Sequence, residues 1–530
     1  MADIVGGQTL RDWWDYLAAE RGGHTFLVFQ DRAGAVTEYT YAAFDAEINR
    51  TANLFLSLGV EAGERVAVQM HSCPEFMLCL FGLAKIGAIA VPMNEQYKAA
   101  EASFALECTG ATCAVVEAEF AGLYAEIALA EERLPRGLLV ARAPRGREDW
   151  PDAARKLADR GGAVACFDAA RAGQSSVLGA ARPLTSDDPV EIIFTSGTTA
   201  DPKGVVLTHG NLLYSGWYGC WETALTERDR LLTTMPACHS NFQLAALTPV
   251  LVAGATLVIV EKYSASRFWQ QVADHRATVA QCVAMMLRTL LVQPVRDGER
   301  DHGLREMLYF LPVTDEEKAA FEERFSVRLL NTYGSTESVG WVLTDPPVGP
   351  RRWPSVGRPG LGYEVRIAEG GRELPAGEVG EIQVKGVRGR SIMAGYWNDE
   401  AATAAAFTDD GWLRTGDKGY RDADGWFFFV DRKANMIKRA GENISASEVE
   451  NVLEGHPAVA EAAVIGVADP VRDMAVKAFV RLEPGTAATP AEIEAFCAEH
   501  LAAFKVPSLV EIVEDFPRTC SMKIEKKLLH

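Results

Sequence analysis

The chain predicts an α/β protein built on a doubly wound parallel sheet, and three observations carry that expectation. Apolar strand-like runs alternate with helix-period segments through the first part of the chain, shorter strands take over from Gly380, and the last 95 or so residues follow their own order of helices and strands. A length of 530 residues exceeds the size at which one core keeps growing, and 48% hydrophobic residues supply material for several cores.

Residues 11–20, RDWWDYLAAE, have amphipathic helical spacing, and 25–30 with 36–41 read as a hairpin around residues 31–34. Helix 44–58, strand 65–70, helix 74–86, strand 88–91, helix 98–109 and strand 112–116 then alternate. The most apolar window, 76–93, is interrupted by Gly82, Lys85 and Gly87, so it reads as a buried helix entering a strand, and no membrane span is expected. Residues 135–184 show no period and are expected to form a variable surface segment. Further on, 211–221 reads as an aromatic-rich helix, 230–235 and 307–311 as strands, and 247–260 and 279–291 as mixed helix and strand. GEIQVKG and RSIMAGY predict a small β-rich subdomain. Helix 446–454 with Ser445 or Ser447 as cap, strands 459–467 and 474–482, and helix 490–501 predict a small α+β domain.

The balance of 72 acidic and 53 basic residues gives a net charge of −19, which argues against a nucleic-acid or anionic-membrane surface. Ten cysteines without a CxxC pair read as reduced core residues of a cytoplasmic protein, with no zinc site. The opening MADIVGGQTL has no basic stretch followed by an apolar run, so no secretory signal is expected.

The chemistry concentrates at residues 191–204, EIIFTSGTTADPKG. Ile192, Ile193 and Phe194 predict a buried strand running into Thr195, Ser196, Gly197, Thr198 and Thr199, whose hydroxyls and backbone N–H groups suit an anion, with Lys203 as a cation on a long stem. Pro202 and Gly204 turn the chain into a second strand, 205–207. No G-x-x-x-x-G-K-[ST] spacing is present, which disfavours a P-loop kinase or GTPase.

TSGTTxxPKG resembles the phosphate loop of the adenylate-forming superfamily, which includes acyl-CoA synthetases, luciferases and the adenylation domains of peptide synthetases. The likeness runs along nearly the whole chain, and EINRTANLF, GLAKIGAIAVP, RRWPSVGRPG and FKVPS are most similar to carnitine/crotonobetaine-CoA ligases. The resemblance implies a large N-terminal domain, 1–433, of two doubly wound sheets plus a β-rich subdomain at about 345–433. A small mobile α+β C-terminal domain, 434–530, would turn about a hinge at Ala434.

The implied activity is that of an AMP-forming acid–thiol ligase using ATP, Mg2+ and CoA on a small carboxylic acid. In NTYGSTE, 331–337, Tyr333 would stack on adenine, Gly334 would let backbone approach the nucleotide, and Ser335, Thr336 and Glu337 would lie at the phosphates, with Glu337 holding magnesium. Asp417 would hold the ribose, and Arg432 the ribose or phosphate. Lys523 would stabilise charge during adenylation, and Lys438 and Gly441 would serve the thioester step. His239 in PACHSN would gate the carboxylate site, and Trp217, Tyr218 and Trp341 would line the acyl pocket, boxing either a quaternary ammonium or a bulky apolar acid.

The sequence departs from the family pattern at Cys238, Ala200, Met522, Ala434 and FLPVT (310–314). Several departures touch the ATP-dependent half, so a ligase weak in adenylation that thioesterifies preformed acyl-adenylate stays open. A luciferase-like oxidoreductase and a non-catalytic adenylate-binding protein are the readings from other classes, and a homodimer is the default assembly.

Overall fold

The computed structural model describes residues 4–131, 134, 136–142, 152–159, 163–180, 182–195, 202–310, 313–432, 436–517, 524 and 526–530. The helix Pro74–Ile86 shows why the chain builds layers. Every residue in it except Glu75 is buried, so it has no solvent face and must be covered on all sides. It packs against the helices Leu10–Glu20 and Tyr41–Ser57 and against strands of the sheet that it feeds. Its one buried cation, Lys85, is met by Asp15 at 2.7 Å, Asp45 at 2.6 Å and Asn49 at 3.0 Å. Gly87 ends the helix in the left-handed region at φ 76°, where a side chain would be strained.

Two large sheets follow from the predicted alternation. The first runs Gly395–Tyr396, Lys203–Thr208, Pro189–Thr195, Ile89–Pro92, Arg65–Gln69, Cys113–Glu117, Gly137–Ala141, Val164–Cys166. The second, of nine strands, centres on Arg230–Thr233, flanked by Thr256–Val260 and Val279–Val283, and continues through Glu306–Phe310 to Arg328–Ser335. Both are mixed rather than wholly parallel: the inner strands are parallel, and the edges are antiparallel hairpins such as Pro189–Thr195 with Lys203–Thr208. A hairpin returns the chain antiparallel, so the pair Pro189–Thr195 and Lys203–Thr208 breaks the parallel rule.

Two expectations are corrected. Residues 135–184 are not merely a surface segment: Gly137–Ala141, all buried, and Val164–Cys166 extend the first sheet in parallel register, with helices Asp152–Asp159 and Phe167–Ala172 between and after them. RSIMAGY does not belong to the β-rich subdomain, because Gly395 and Tyr396 pair with Val206 and Val205 on the edge of the first sheet. The subdomain itself is a five-stranded antiparallel sheet of Glu364–Glu369, Arg372–Glu373, Gly380–Lys385, Leu413–Arg421 and Phe427–Arg432.

A smaller C-terminal domain carries a five-stranded, largely antiparallel sheet around Val459–Asp469 and Asp473–Leu482. Helices Ala446–Glu454, capped by Ser445, and Pro490–His500 cover one face, and Phe516 and Ile524 pack with Ala463 and Phe479 on the other. Among the described residues no helix is long and apolar enough to cross a membrane.

Candidate active site

A cavity of about 420 Å3 opens where the carboxyl ends of both large sheets meet the β-rich subdomain and the C-terminal domain. Crevices at the carboxyl ends of strands are where α/β sheets bind ligands, because loops there converge without backbone pairing between them. Pro92, Phe194 and Thr195 come from one sheet, Phe310 and 331–335 from the other, Asp417 from the subdomain, and Lys438 and Gly441 from the C-terminal domain.

Tyr333 and Asp417 form one pair at the wall. The Tyr333 hydroxyl donates to Asp417 Oδ2 at 2.7 Å, and Asp417 is 5% exposed. Asp417 stands opposite Arg432 across an antiparallel pair, which places both backbones at the same rim; the Arg432 side chain lies outside the described residues. Phe429, on the neighbouring strand, has its ring 6.2 Å from that of Tyr333.

Glu337 forms the second focus. Its Oε1 accepts from the Thr195 hydroxyl at 3.3 Å and from the Tyr396 hydroxyl at 3.2 Å, and Lys203 lies over the Tyr396 ring at 5.2 Å. The carboxylate therefore sits at the mouth of the 195–203 turn, whose register Thr195↔Lys203 closes the hairpin. Ser196, Gly197, Thr198, Thr199 and Ala200 lie outside the described residues, as do Ala434, Met522 and Lys523.

His239 and Trp341 also line the cavity, as expected. His239 Nδ1 accepts from the Asn241 N–H at 3.1 Å, and the neighbouring Ser240 hydroxyl accepts from Thr336 at 2.9 Å. Trp341 stacks on Phe310 with ring centroids 4.2 Å apart. Trp217 and Tyr218 do not line it. Helical rotation sends Trp217 outward against Trp13 at 5.8 Å, 37% exposed, and Tyr218 into the core between Trp221 and Tyr363. The acyl-pocket expectation thus survives only at Trp341 and His239.

Gly334 is required by the backbone around it. A Cβ there would lie 1.7 Å from the Gly340 carbonyl oxygen, so strand crossing at the register shift with Gly340–Thr344 demands glycine before any nucleotide arrives. Gly441 is in the left-handed region at φ 94°, as is Ala440 at φ 51°. They are the two central residues between paired Arg439 and Glu442, a two-residue hairpin turn of the kind that needs positive φ at both positions. That turn reaches the end of the strand Val279–Val283: a Cβ on Gly441 would meet Val283 at 3.4 Å.

Sequence reasoning missed Phe310, Tyr396, Phe504 and Lys505 as residues at or beside the cavity. FKVPS contains the last two, but its spacing has no chemical signature by itself. Among the described residues one group of three possible metal ligands exists, His71, Glu117 and Glu119, and Arg142 already pairs with Glu117 at 2.9 Å.

Two layered α/β sheets, a β-rich annex, a small C-terminal domain and a shared cavity at their junction define an adenylate-forming fold. A family profile described as AMP-binding enzyme matches residues 14–397, and one described as AMP-binding enzyme C-terminal domain matches 448–523. The chain belongs to the AMP-binding enzyme family. It is 48% identical over 528 residues to a crotonobetaine/carnitine–CoA ligase of Citrobacter koseri, covering 99% of this chain and 100% of that protein. Among solved structures it is similar to a double mutant of o-succinylbenzoate CoA synthetase from Bacillus subtilis bound with the product analogue OSB-NCoA (TM-score 0.81, 26% identity, 98% of each chain). It is also similar to the amide bond synthetase McbA from Marinactinospora thermotolerans (TM-score 0.83, 25% identity, 98% of each chain).

Proposed function

We propose that the cavity carries both half-reactions of an ATP-dependent acyl-CoA ligase acting on a small acid of the carnitine type. A carboxylate lacks a good leaving group, so thioester formation needs prior activation. In the first half-reaction a carboxylate oxygen attacks the α-phosphorus of ATP and pyrophosphate leaves, giving acyl-adenylate. In the second the CoA thiol, losing its proton, attacks the acyl carbon and AMP leaves.

Placement supports the roles of the described residues, and the family likeness those of the rest. Asp417, fixed by Tyr333, takes the ribose hydroxyls, and Arg432 approaches the same rim. Thr195 to Lys203 take the pyrophosphate end. Glu337 fits a magnesium ion, because its carboxylate faces the phosphate turn among hydroxyl oxygens, the hard donors that the ion prefers. Bound there, the ion would neutralise charge on the phosphate oxygens. His239 gates the acid's carboxylate, and Trp341, its other face closed by Phe310, offers a π-surface to a quaternary ammonium. Lys523 serves adenylation and must then leave, by rotation of the C-terminal domain about Ala434. Nine free thiols among the described cysteines suit a reducing, cytoplasmic setting.

The observation that carries this reading is the union, in one cavity, of the Tyr333–Asp417 pair, Glu337 at the phosphate turn, and a hairpin turn from the C-terminal domain. A turn that occupies the reaction cavity is what the thioester step requires. The test measures ATP-dependent pyrophosphate release and acyl-CoA formation by mass spectrometry over an acid panel including carnitine. Both should appear with one acid, and Lys523→Ala should abolish the first while sparing thioester formation from synthetic acyl-adenylate. Acyl-CoA from supplied adenylate alone would establish instead a ligase weak in adenylation.

A further inference from the structure

The turn that enters the cavity is held from a position outside the chemistry described so far. Lys505, in the segment after the helix Pro490–His500, has a side chain only 4% exposed, and its Nζ lies 2.7 Å from Glu101 Oε1 and 2.6 Å from Glu448 Oε1. Glu101 belongs to the helix Ala99–Thr109 of the large domain, and Glu448 to Ala446–Glu454 of the small one. Burial alone would lower the Lys505 pKa; the Glu448 carboxylate, Tyr97 and Glu101 outweigh it and hold the ammonium charged.

The two carboxylates differ in consequence. The bond to Glu448 lies within the C-terminal domain and moves with it. The bond to Glu101 crosses between domains and exists in one relative orientation. Separating a buried pair leaves each charge to be rehydrated or stranded, so the crossing bond favours the orientation in which it forms.

That orientation is transmitted to the turn by covalent and hydrogen-bonded neighbours. The Arg439 guanidinium donates to the carbonyls of Phe504 at 2.9 Å and Val506 at 3.1 Å, the residues on either side of Lys505. Arg439 is the residue immediately before the Ala440–Gly441 turn. A second crossing pair meets the adjacent strand: Arg288 of the large domain donates to Asp473 at 2.7 Å, and Asp473 is the register partner of Arg439.

We propose that Lys505 is a positioning residue for thioester formation: bridged to Glu101, it seats the turn carrying Lys438 and Gly441 in the cavity. The inference rests on reading this arrangement as the thioester-forming one.

Full-length Glu101→Gln, Lys505→Met, Lys505→Arg and the Glu101→Gln/Lys505→Met double variant would be compared in two assays. One is acyl-CoA formation from synthetic carnitinyl-adenylate and CoA; the other is ATP-dependent pyrophosphate release with carnitine. Glu101→Gln should lower kcat of the first about tenfold while leaving the second unchanged, Lys505→Met should lower the first at least as much, and the double variant should lose no more than the worse single. Lys505→Arg should recover part of the rate. Glu101→Gln leaves the Lys505–Glu448 bond within the C-terminal domain, so it decides the matter even where Lys505→Met fails to fold. An equal loss in both assays, or no loss in Glu101→Gln, overturns the proposal. A wild-type protein that makes no acyl-CoA from the adenylate sinks the ligase reading, and this inference falls with it.

Discussion

Tyr333 and Asp417 lie 84 residues apart in sequence and meet through a 2.7 Å hydrogen bond that joins the second large sheet to the β-rich subdomain. The bond holds a buried carboxylate at the wall of the cavity. Tyr333→Phe should raise the KM for ATP roughly 2- to 10-fold, the worth of one hydrogen bond to a charged group less what water restores. Asp417→Ala should raise it further. Steady-state kinetics at saturating acid and CoA checks both, and an unchanged KM in Asp417→Ala would remove Asp417 from the nucleotide site.

Gly334→Ala should cost at least about 3 kcal/mol, because the added Cβ meets backbone at 1.7 Å and no side chain can yield. Gly416→Ala, one residue before Asp417, meets nothing within 4 Å and carries only the strain of φ 72°, about 1 kcal/mol. Thermal unfolding of the two variants should separate them clearly.

Trp341→Leu keeps an apolar wall and removes the π-face. With a quaternary-ammonium acid the preference over an uncharged isostere should fall roughly 2- to 30-fold, the range of a cation–π contact. An apolar acid would show no such change in preference, so the ratio of kcat/KM values for the two acids reports which class the cavity takes.

Glu191 lies on the strand Pro189–Thr195, fully buried, and burial, offset only in part by Gln243, pushes its carboxyl up to about 8. A raised carboxyl means that the folded state holds a proton the unfolded state has released above its ordinary value near 4.5. Stability from this group is therefore complete below pH 4.5, declines as pH rises, and is lost once pH passes through 8. Glu191→Gln should unfold at a temperature that exceeds that of the wild type by a growing margin from pH 6 to 9. A constant difference would show that Glu191 titrates normally.

Local pattern carried much of the fold: Pro74–Ile86 and the hairpin of Pro189–Thr195 with Lys203–Thr208 are where their composition puts them. Gly137–Ala141 escaped notice because a five-residue apolar run is brief, and the stretch after it, 143–151, has no period of its own. Gly395–Tyr396 escaped because two residues cannot reveal which sheet they join. At the site, residues grouped in sequence, 331–337, were legible as a unit. Trp217 was misread because the resemblance sets this helix beside the acyl pocket without telling which of its side chains turn toward it. Lys505 was invisible for the opposite reason: each of its two partners lies on a different helix, and no periodicity links them.

The Glu101–Lys505 pair spans 404 residues of chain. At a synthesis rate of about 5–20 residues per second, roughly 20–80 s pass between the emergence of one partner and the other. The strands of the large domain run on to Phe427–Arg432, so that domain is whole only in the last part of the interval, during which Glu101 has no Lys505 to meet. The large domain thus has all its strands before Lys505 is made, and the pair forms when the C-terminal domain, with a core of its own, docks against the helix Ala99–Thr109.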